Sequence, residues 1–168
     1  MTERKTKNRR SKAPADAIAL LTQDHKTVQQ LFKDFEKRKE QMDEETKAEL
    51  VRTACQELTI HAQLEEELFY PALRGAMEEH ELLDEAQVEH TAAKQLVGEL
   101  ERMGPQDELY DAKFTVLGEY VNHHIKEEQG EIFKEAKKAK IDLVELGERM
   151  LRRKEELQSG TTRAHVEA

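Results

Sequence analysis

The sequence is poor in several residue types, and each shortage excludes a class of structure. Its 168 residues include no Trp, one Cys, three Pro and seven Gly. Runs of β-branched residues with period-two alternation are absent, so β-strands are not expected. No apolar run approaches the roughly eighteen residues of a membrane helix, and none follows the basic N-terminus. Neither a membrane span nor a secretory signal is therefore expected.

The one cysteine, Cys55, excludes a disulfide within the chain and suits a reducing compartment, so we expect a cytoplasmic protein. A small buried helix residue is a simpler interpretation of Cys55 than redox or ligand chemistry. Charged side chains make up 38% of the chain, which at this length fits a single helical domain with long solvated faces.

Charge is distributed unevenly along the chain. Residues 1–12 carry six Lys or Arg against one acid, Glu3, whereas residues 13–168 have a balance of −14. A basic arm of this kind is able to contact nucleic acid or anionic lipid, but it contains no aromatic residue and no recognition motif. We therefore expect residues 1–13 to be a disordered tail, and we expect no nucleic-acid partner.

Four long segments repeat apolar residues at spacings of three and four, which predicts amphipathic helices and an all-α protein. We expect these helices near residues 15–41, 43–71 with a possible extension to 77, 81–103 and 107–140. Short connections predict an up-down-up-down four-helix bundle over residues 14–140. Residues 141–158 predict a short fifth amphipathic helix, and residues 159–168 a disordered tail.

The chain also contains an internal repeat. With His25 placed over His90, DHKTVQQLFKDFE aligns with EHTAAKQLVGELE at an offset of 65 residues. With His61 placed over His124, HAQLEEELFY aligns with HIKEEQGEIF at an offset of 63 residues. We therefore expect the bundle to consist of two similar helical hairpins.

Each hairpin carries one His in its first helix and His-x-x-x-Glu in its second. Residues four apart lie about 40° apart around an α-helix and about 6 Å apart along it, so both side chains can reach one centre. A carboxylate on an apolar face costs several kcal/mol unless it is paired or bound to a metal. The pattern therefore predicts a metal site inside the bundle, with the ligands His25, His61, Glu65, His90, His124 and Glu128.

Nitrogen and oxygen donors without thiolate suit Fe, Mn or Zn, and two carboxylates able to bridge indicate two ions. Two imidazoles and one oxygen of each carboxylate would give each ion four protein ligands. Octahedral iron would then keep positions for an oxo or hydroxo bridge and for an added small molecule. Open positions predict reactivity toward O2, peroxide or NO. A carboxylate-rich ferritin-like site, with its Glu-x-x-His motif, matches less well.

One choice of register is needed on the fourth helix, because His123 and Glu127 also lie four residues apart. His124 and Glu128 continue the apolar stripe and match the repeat, so we prefer them as ligands.

Some nearby residues have a structural interpretation and a functional alternative. Tyr70 and Tyr120 either pack in the core or donate a hydrogen bond to a metal-bound oxygen. Glu66, Glu67 and Glu127 either form a solvated face or contact the ligands from outside. The histidines expected outside the site are His80, His123 and His165.

The ordered pattern H…HxxxE…H…HxxxE, which covers about residues 16–138, resembles the hemerythrin-like (HHE cation-binding) family. The resemblance implies two non-haem iron ions bridged by Glu65 and Glu128 and bound by the four predicted histidines. Lys94 replaces the second ligand histidine on the third helix of oxygen-carrying hemerythrins, and the last motif ends in Glu at i+4 rather than Asp at i+5. The ligand set is more similar to bacterial HHE proteins linked to oxidative or nitrosative stress.

The resemblance thus implies a di-iron protein that binds O2, NO or iron in sensing, storage or stress protection. An enzyme that decomposes peroxide or donates iron to iron–sulfur-centre repair is the alternative, although the cysteine-containing N-terminal region usual in that repair protein is not found here. The expected partner is a small diatomic molecule or peroxide.

Overall fold

The computed structural model describes residues 13–166, with side chains through residue 160. Every regular element in this part of the chain is a helix, which confirms the predicted all-α class. Most of the predicted basic tail, residues 1–12, lies outside the described residues.

Three of the five helices are uninterrupted: α1 is Ala17–Arg38, α3 is Glu81–Glu101 and α5 is Leu143–Val166. Aspartate carboxylates accept hydrogen bonds from backbone N–H groups at three helix starts. Asp16 caps α1 at 2.8 Å, and Asp142 caps α5 at 3.0 Å. Asp43 does the same for the second helix at 2.7 Å. Such caps satisfy N–H groups that lack a partner within the helix.

The other two helices each contain one π-helical segment between two α-helical parts. Helix α2 covers residues 44–76, as an α-helix over Glu44–Leu64, a π-helix over Glu65–Phe69 and an α-helix over Tyr70–Ala76. Helix α4 covers residues 110–138 in the same way, with α-helical parts Tyr110–Glu127 and Phe133–Lys138 on either side of a π-helix, Glu128–Ile132. The sequence did not lead us to predict either π-helix.

Three predicted boundaries are wrong. Helix α1 ends at Arg38 rather than near residue 41, because Gln41 N–H donates to the Arg38 carbonyl oxygen in a turn. Helix α4 begins at Tyr110 rather than near Asp107, because the Asp107 carboxylate accepts a hydrogen bond from Gly104 N–H at 2.7 Å and closes a turn. Residues 159–166 of the predicted disordered tail instead belong to α5, which continues through Val166, and residues 167–168 lie outside the described residues. A glycine inside a helix costs only about 1 kcal/mol, so Gly160 alone does not end it.

Two apolar clusters occupy the two ends of the bundle. One joins the start of α1 and α3 to the end of α2 and α4, through residues such as Leu21, Leu83, Phe69 and Phe133. The other joins the opposite helix ends, through residues such as Phe35, Val51, Leu100 and Phe114. This arrangement confirms the up-down-up-down topology, and it leaves a layer between the clusters where the predicted ligands lie.

Helix α5 packs on the first cluster through Leu146 and Met150, both buried. Its approach to α1 depends on Gly147, since a Cβ there would stand 2.6 Å from the backbone N of Ala17 and 2.7 Å from the carbonyl C of Asp16. Backbone atoms cannot move aside as a flexible side chain can. The glycine therefore allows α5 to lie directly against the first turn of α1.

Cys55 is a free thiol buried on α2, as we expected for a small core residue. Burial raises the pKa of this thiol to about 12, so it stays protonated at neutral pH. A buried neutral thiol is a poor nucleophile and a poor metal ligand.

Candidate metal centre

All six predicted ligands come together in the layer between the two apolar clusters. They form two groups, and within each group the donor atoms lie within 4.8 Å of one another. We call His25, His61 and Glu128 the first position, and Glu65, His90 and His124 the second position. The two carboxylates are 0% exposed, and no imidazole exceeds 9%.

The carboxylates connect the two positions. Glu128 Oε1 lies 3.1 Å from His25 Nε2, and Glu128 Oε2 lies 3.2 Å from His124 Nε2. Glu65 Oε1 lies 2.8 Å from His61 Nε2 and 3.6 Å from His90 Nε2. Each carboxylate therefore contacts one histidine of its own helix and one of the other hairpin, which is the arrangement that a ligand bridging two ions requires.

Several inward-facing atoms of this layer are buried against one another without a well-aligned hydrogen bond. They are Nε2 of His25 and His61, both oxygens of Glu65, and Oε1 of Glu128. Leaving such groups unsatisfied costs about 1–3 kcal/mol each, and more when they are charged. Cations bound between these nitrogens and oxygens would satisfy all of them at once. The donor set therefore fits metal ions better than it fits a protein core.

The imidazoles of the first position are held from behind by strong hydrogen bonds. His25 Nδ1 donates to Gln129 Oε1 at 2.8 Å, and His61 Nδ1 donates to Asp24 Oδ2 at 3.0 Å. A proton fixed on Nδ1 leaves Nε2 free as a metal donor and fixes the ring orientation.

The imidazoles of the second position face acceptors at a longer distance. His90 Nδ1 lies 3.5 Å from Glu66 Oε1, and His124 Nδ1 lies 3.5 Å from Glu89 Oε2. Contacts of this length are outside the range of good hydrogen bonds. The two positions thus use the same ligand types but differ in how firmly the ligands are held.

The outer acceptors repeat in the sequence just as the ligands do. Asp24 and Glu89 each precede the first-helix histidine, yet each faces the second-helix histidine of the same hairpin. Gln129 and Glu66 each follow a carboxylate ligand and face the first-helix histidine of the other hairpin. The shared acid-His pair was visible in the repeat, but nothing in it indicated which imidazole the acid would contact. Of the two interpretations left open for Glu66, this contact with His90 agrees with the one that places Glu66 around the ligands.

Burial and the neighbouring carboxylates shift the pKa values of the imidazoles in opposite directions. Burial lowers the pKa of His124, but the hydrogen bond and the charge of Glu128 outweigh it and raise that pKa to about 9. For His61, burial is likewise outweighed by the charge of Glu65 and the Asp24 hydrogen bond, so its pKa lies well above the usual range. Burial would raise the pKa of Glu65, but the charge of His61 holds that pKa well below its usual value. Protons would therefore compete with metal ions for these donor atoms.

The register on α4 is the one that we preferred. His124 and Glu128 point inward, whereas His123 is exposed and places Nε2 3.0 Å from Glu127 Oε1 on the outside of the bundle. His80 Nε2 lies 2.9 Å from the Met77 carbonyl oxygen in the turn between α2 and α3, as expected for a loop residue. The side chain of His165 lies outside those described.

The two tyrosines that we singled out have different environments. Tyr70 is buried at the second position, where its hydroxyl donates to Glu128 Oε2 and lies 3.3 Å from His124 Nε2. Burial raises the pKa of Tyr70 well above its usual value, so the phenol keeps its proton. Tyr120 is 50% exposed, and the core-packing interpretation is wrong for this residue.

A cavity of about 60 Å³ adjoins the centre. The four histidines and Glu65 form part of its wall, and the remainder is mostly apolar, including Val28, Leu58, Ala93, Val97, Val121 and Ile125. Lys94 and Tyr120, each about half exposed, also line it and mark its outer end. Pockets for organic ligands usually measure about 300 Å³ or more, so this space suits a molecule of a few atoms.

Both π-helices begin at a carboxylate ligand, Glu65 in α2 and Glu128 in α4. The buried positions around them are spaced by four: 61, 65, 69 and 73 in α2, and 124, 128, 132 and 136 in α4. In a continuous α-helix, three steps of four residues would turn the buried face by about 120°. One i→i+5 turn takes up an extra residue and cancels about 100° of that rotation. The π-helices therefore keep the ligands and the following core residues on one face.

Proline is not the cause of this winding. Pro71 follows the π-helix of α2, but Lys134 occupies the equivalent position after the π-helix of α4. The spacing of four is the signal that the two segments share.

A helical bundle whose interior holds paired histidine and glutamate groups defines a class of metal-binding helical proteins. The chain belongs to the hemerythrin HHE cation binding domain family, whose model matches residues 16–136. It is similar to the crystal structure of a hemerythrin HHE cation binding domain-containing protein from Mycobacterium kansasii, with 25% identity and a TM-score of 0.72. That match covers 86% of this chain and 88% of the other. No curated protein matches the chain.

Among the described residues, no helix combines the length and the apolar character needed to cross a bilayer.

Proposed function

We propose that this protein is a non-haem di-iron protein that binds O2 or NO at its second position, in sensing or protection against oxidative or nitrosative stress. The observation that supports this most directly is that Glu65 and Glu128 each contact histidines of both hairpins beside a small apolar cavity. A cytoplasmic location is part of the proposal.

Bound iron would supply Lewis acidity and one-electron redox chemistry. The protein's contribution would be the donor set: Glu65 and Glu128 would supply negative charge and oxygen donors, and the imidazoles would supply neutral nitrogen donors. The mostly apolar cavity would admit a molecule of a few atoms. Lys94 replaces a ligand histidine known from the oxygen carriers, and it forms an ion pair with Glu66 at 2.7 Å on the outside of the bundle. We therefore place the added ligand beside His90 and His124.

The test is metal analysis of the purified protein, followed by absorption spectra of the reduced iron form before and after O2 or NO. We expect about two iron ions per chain and a spectral change with at least one of the gases. His124→Ala should reduce both, while His123→Ala, a change on the exposed face of the same helix, should leave both unchanged. A single bound ion without a spectral response would show that the metal is structural.

Decomposition of peroxide is a second candidate, and the position of Tyr70 favours it. Its hydroxyl keeps a proton beside Glu128 and His124, where a peroxide oxygen leaving as water would need one. Tyr70→Phe should lower peroxide turnover per bound metal about tenfold or more, whereas Tyr120→Phe should have no effect. Equal turnover in the two variants, or turnover no faster than that of free iron, would rule out this role for Tyr70.

A further inference from the structure

Helix α5 lies outside the repeat, yet it reaches the environment of the metal centre. Its consecutive residues Arg153 and Lys154 form ion pairs with acids close to the ligands. Arg153 Nε lies 2.8 Å from Glu67 Oε2, and both side chains are more than a third exposed. Lys154 Nζ donates to Asp24 Oδ1 at 2.6 Å, and here the carboxylate is almost fully buried.

Asp24 therefore connects α5 to the first position. One of its oxygens accepts from Lys154 and the other accepts from His61 Nδ1. A buried carboxylate between two donors has a fixed rotamer, and its charge is compensated from both sides. Without the lysine, Asp24 would keep a single partner, and the orientation of the His61 ring would be less restricted.

The second position lacks this support. Glu89, the repeat equivalent of Asp24, is partly exposed and lies 3.5 Å from His124 Nδ1. No ion pair joins Glu89 to a Lys or Arg among the described side chains. The difference does not come from the ligands, which repeat, but from α5, which has no counterpart in the other half of the bundle.

We propose that Lys154 is a positioning residue for the first metal position, acting through Asp24 and His61. Metal binding at this position and docking of α5 then stabilise each other, because a coupling free energy acts equally in both directions. The inference rests on the proposed two-metal centre and assigns to α5 a part in holding one of the two ions.

The experiment uses the full chain loaded with zinc, and it follows zinc release to a chelator. We expect the wild-type protein to bind two zinc ions and to release them in two phases. Lys154→Met should accelerate the slower phase, which we assign to the first position, about threefold to tenfold and leave the faster phase unchanged. Arg153→Met is the matched control, because it removes a neighbouring ion pair on the same helix, and it should change neither phase more than twofold. Lys154→Arg should restore most of the slow release.

Backbone hydrogen exchange of α5 provides a readout that does not depend on release. In the wild-type protein, zinc should slow exchange over α5, and in Lys154→Met this effect should be largely lost while the remaining bundle stays protected. Unchanged release and exchange in Lys154→Met would overturn the proposal. So would equal acceleration by Arg153→Met, since that would indicate general loosening of α5. A wild-type protein unable to bind two ions would instead refute the metal centre itself.

Discussion

The two metal positions have equivalent ligands and different surroundings. Behind the first position, His61 donates to buried Asp24 at 3.0 Å, and α5 covers that side of the bundle. Behind the second, His90 and His124 face partly exposed acids at 3.5 Å, and a tyrosine hydroxyl lies beside them. The repeated hairpins thus provide the donor atoms of both positions, and the unrepeated helix adds contacts behind one of them. We infer that the first position retains its ion and that the second exchanges ions and ligands.

Loss of a bridging carboxylate should abolish the difference between the positions by weakening both. Glu65→Gln keeps the shape of the side chain but removes its charge and one bridging oxygen donor. We expect the metal content after gel filtration to fall from about two ions per chain to less than one. Glu67→Gln, two residues away and exposed, should still bind two. Two ions retained by Glu65→Gln would contradict the bridging role.

The pH dependence of stability should distinguish the metal-free from the zinc-loaded protein. The raised pKa of His124, about 9, stabilises the metal-free fold fully below pH 6.5, and this contribution is lost as the pH rises through 9. From these two pKa values, the contribution is on the order of 3 kcal/mol. The lowered pKa of Glu65 contributes stability above about pH 4.5 that is lost on further acidification.

We therefore expect urea unfolding of the metal-free protein to show greatest stability between about pH 4.5 and 6.5 and a decline toward pH 9. Zinc-loaded protein should not show this decline, because its imidazoles are already neutral and coordinated. His124→Ala should reduce the slope of unfolding free energy against pH in the metal-free protein, and His123→Ala should leave this slope unchanged. A slope that is the same with and without zinc would contradict this account.

Paired changes in the outer acceptors should reveal the asymmetry directly. Asp24→Asn removes a buried charge that holds His61, so we expect affinity for one ion to fall about 10-fold to 100-fold. Glu89→Gln alters a longer and more exposed contact, so a change of no more than about threefold is expected for the other ion. Competition with a metal-binding dye measures the affinities for the two ions. Equal effects of the two substitutions would mean that the positions are equivalent.

The smallest effect should come from the outer edge of the second position. Lys94 is 54% exposed and pairs with Glu66, and such pairs contribute about 0–1 kcal/mol. Lys94→Met should change the melting temperature of zinc-loaded protein by about 4 °C or less. A larger loss would show that Lys94 orders Glu66 behind His90 more strongly than its exposure suggests.

The sequence predicted the bundle and the residues that meet at its centre because two simple periodicities carry that information. Helical spacing placed His25, His61, His90 and His124 on inner faces, and the repeat joined them to the two carboxylates. The contact between Lys154 and Asp24 spans 130 residues and depends on how α5 crosses α1 at Gly147, which no local pattern specifies. Tyr120 was misjudged for a related reason, since its exposure depends on where the cavity opens.

The winding of α2 and α4 determines where each of these helices can lose a residue. Removal of one residue other than the ligand from Glu65–Phe69 or Glu128–Ile132 would allow the helix to close as a uniform α-helix. Because the π-helix accommodates one extra residue, Leu73 or Ala136 would stay on the buried face after this deletion, whereas the same deletion in a flanking α-helical part would rotate everything beyond it by about 100°. In variants of this chain, single deletions should therefore be tolerated better within these two five-residue segments than in the α-helical parts on either side.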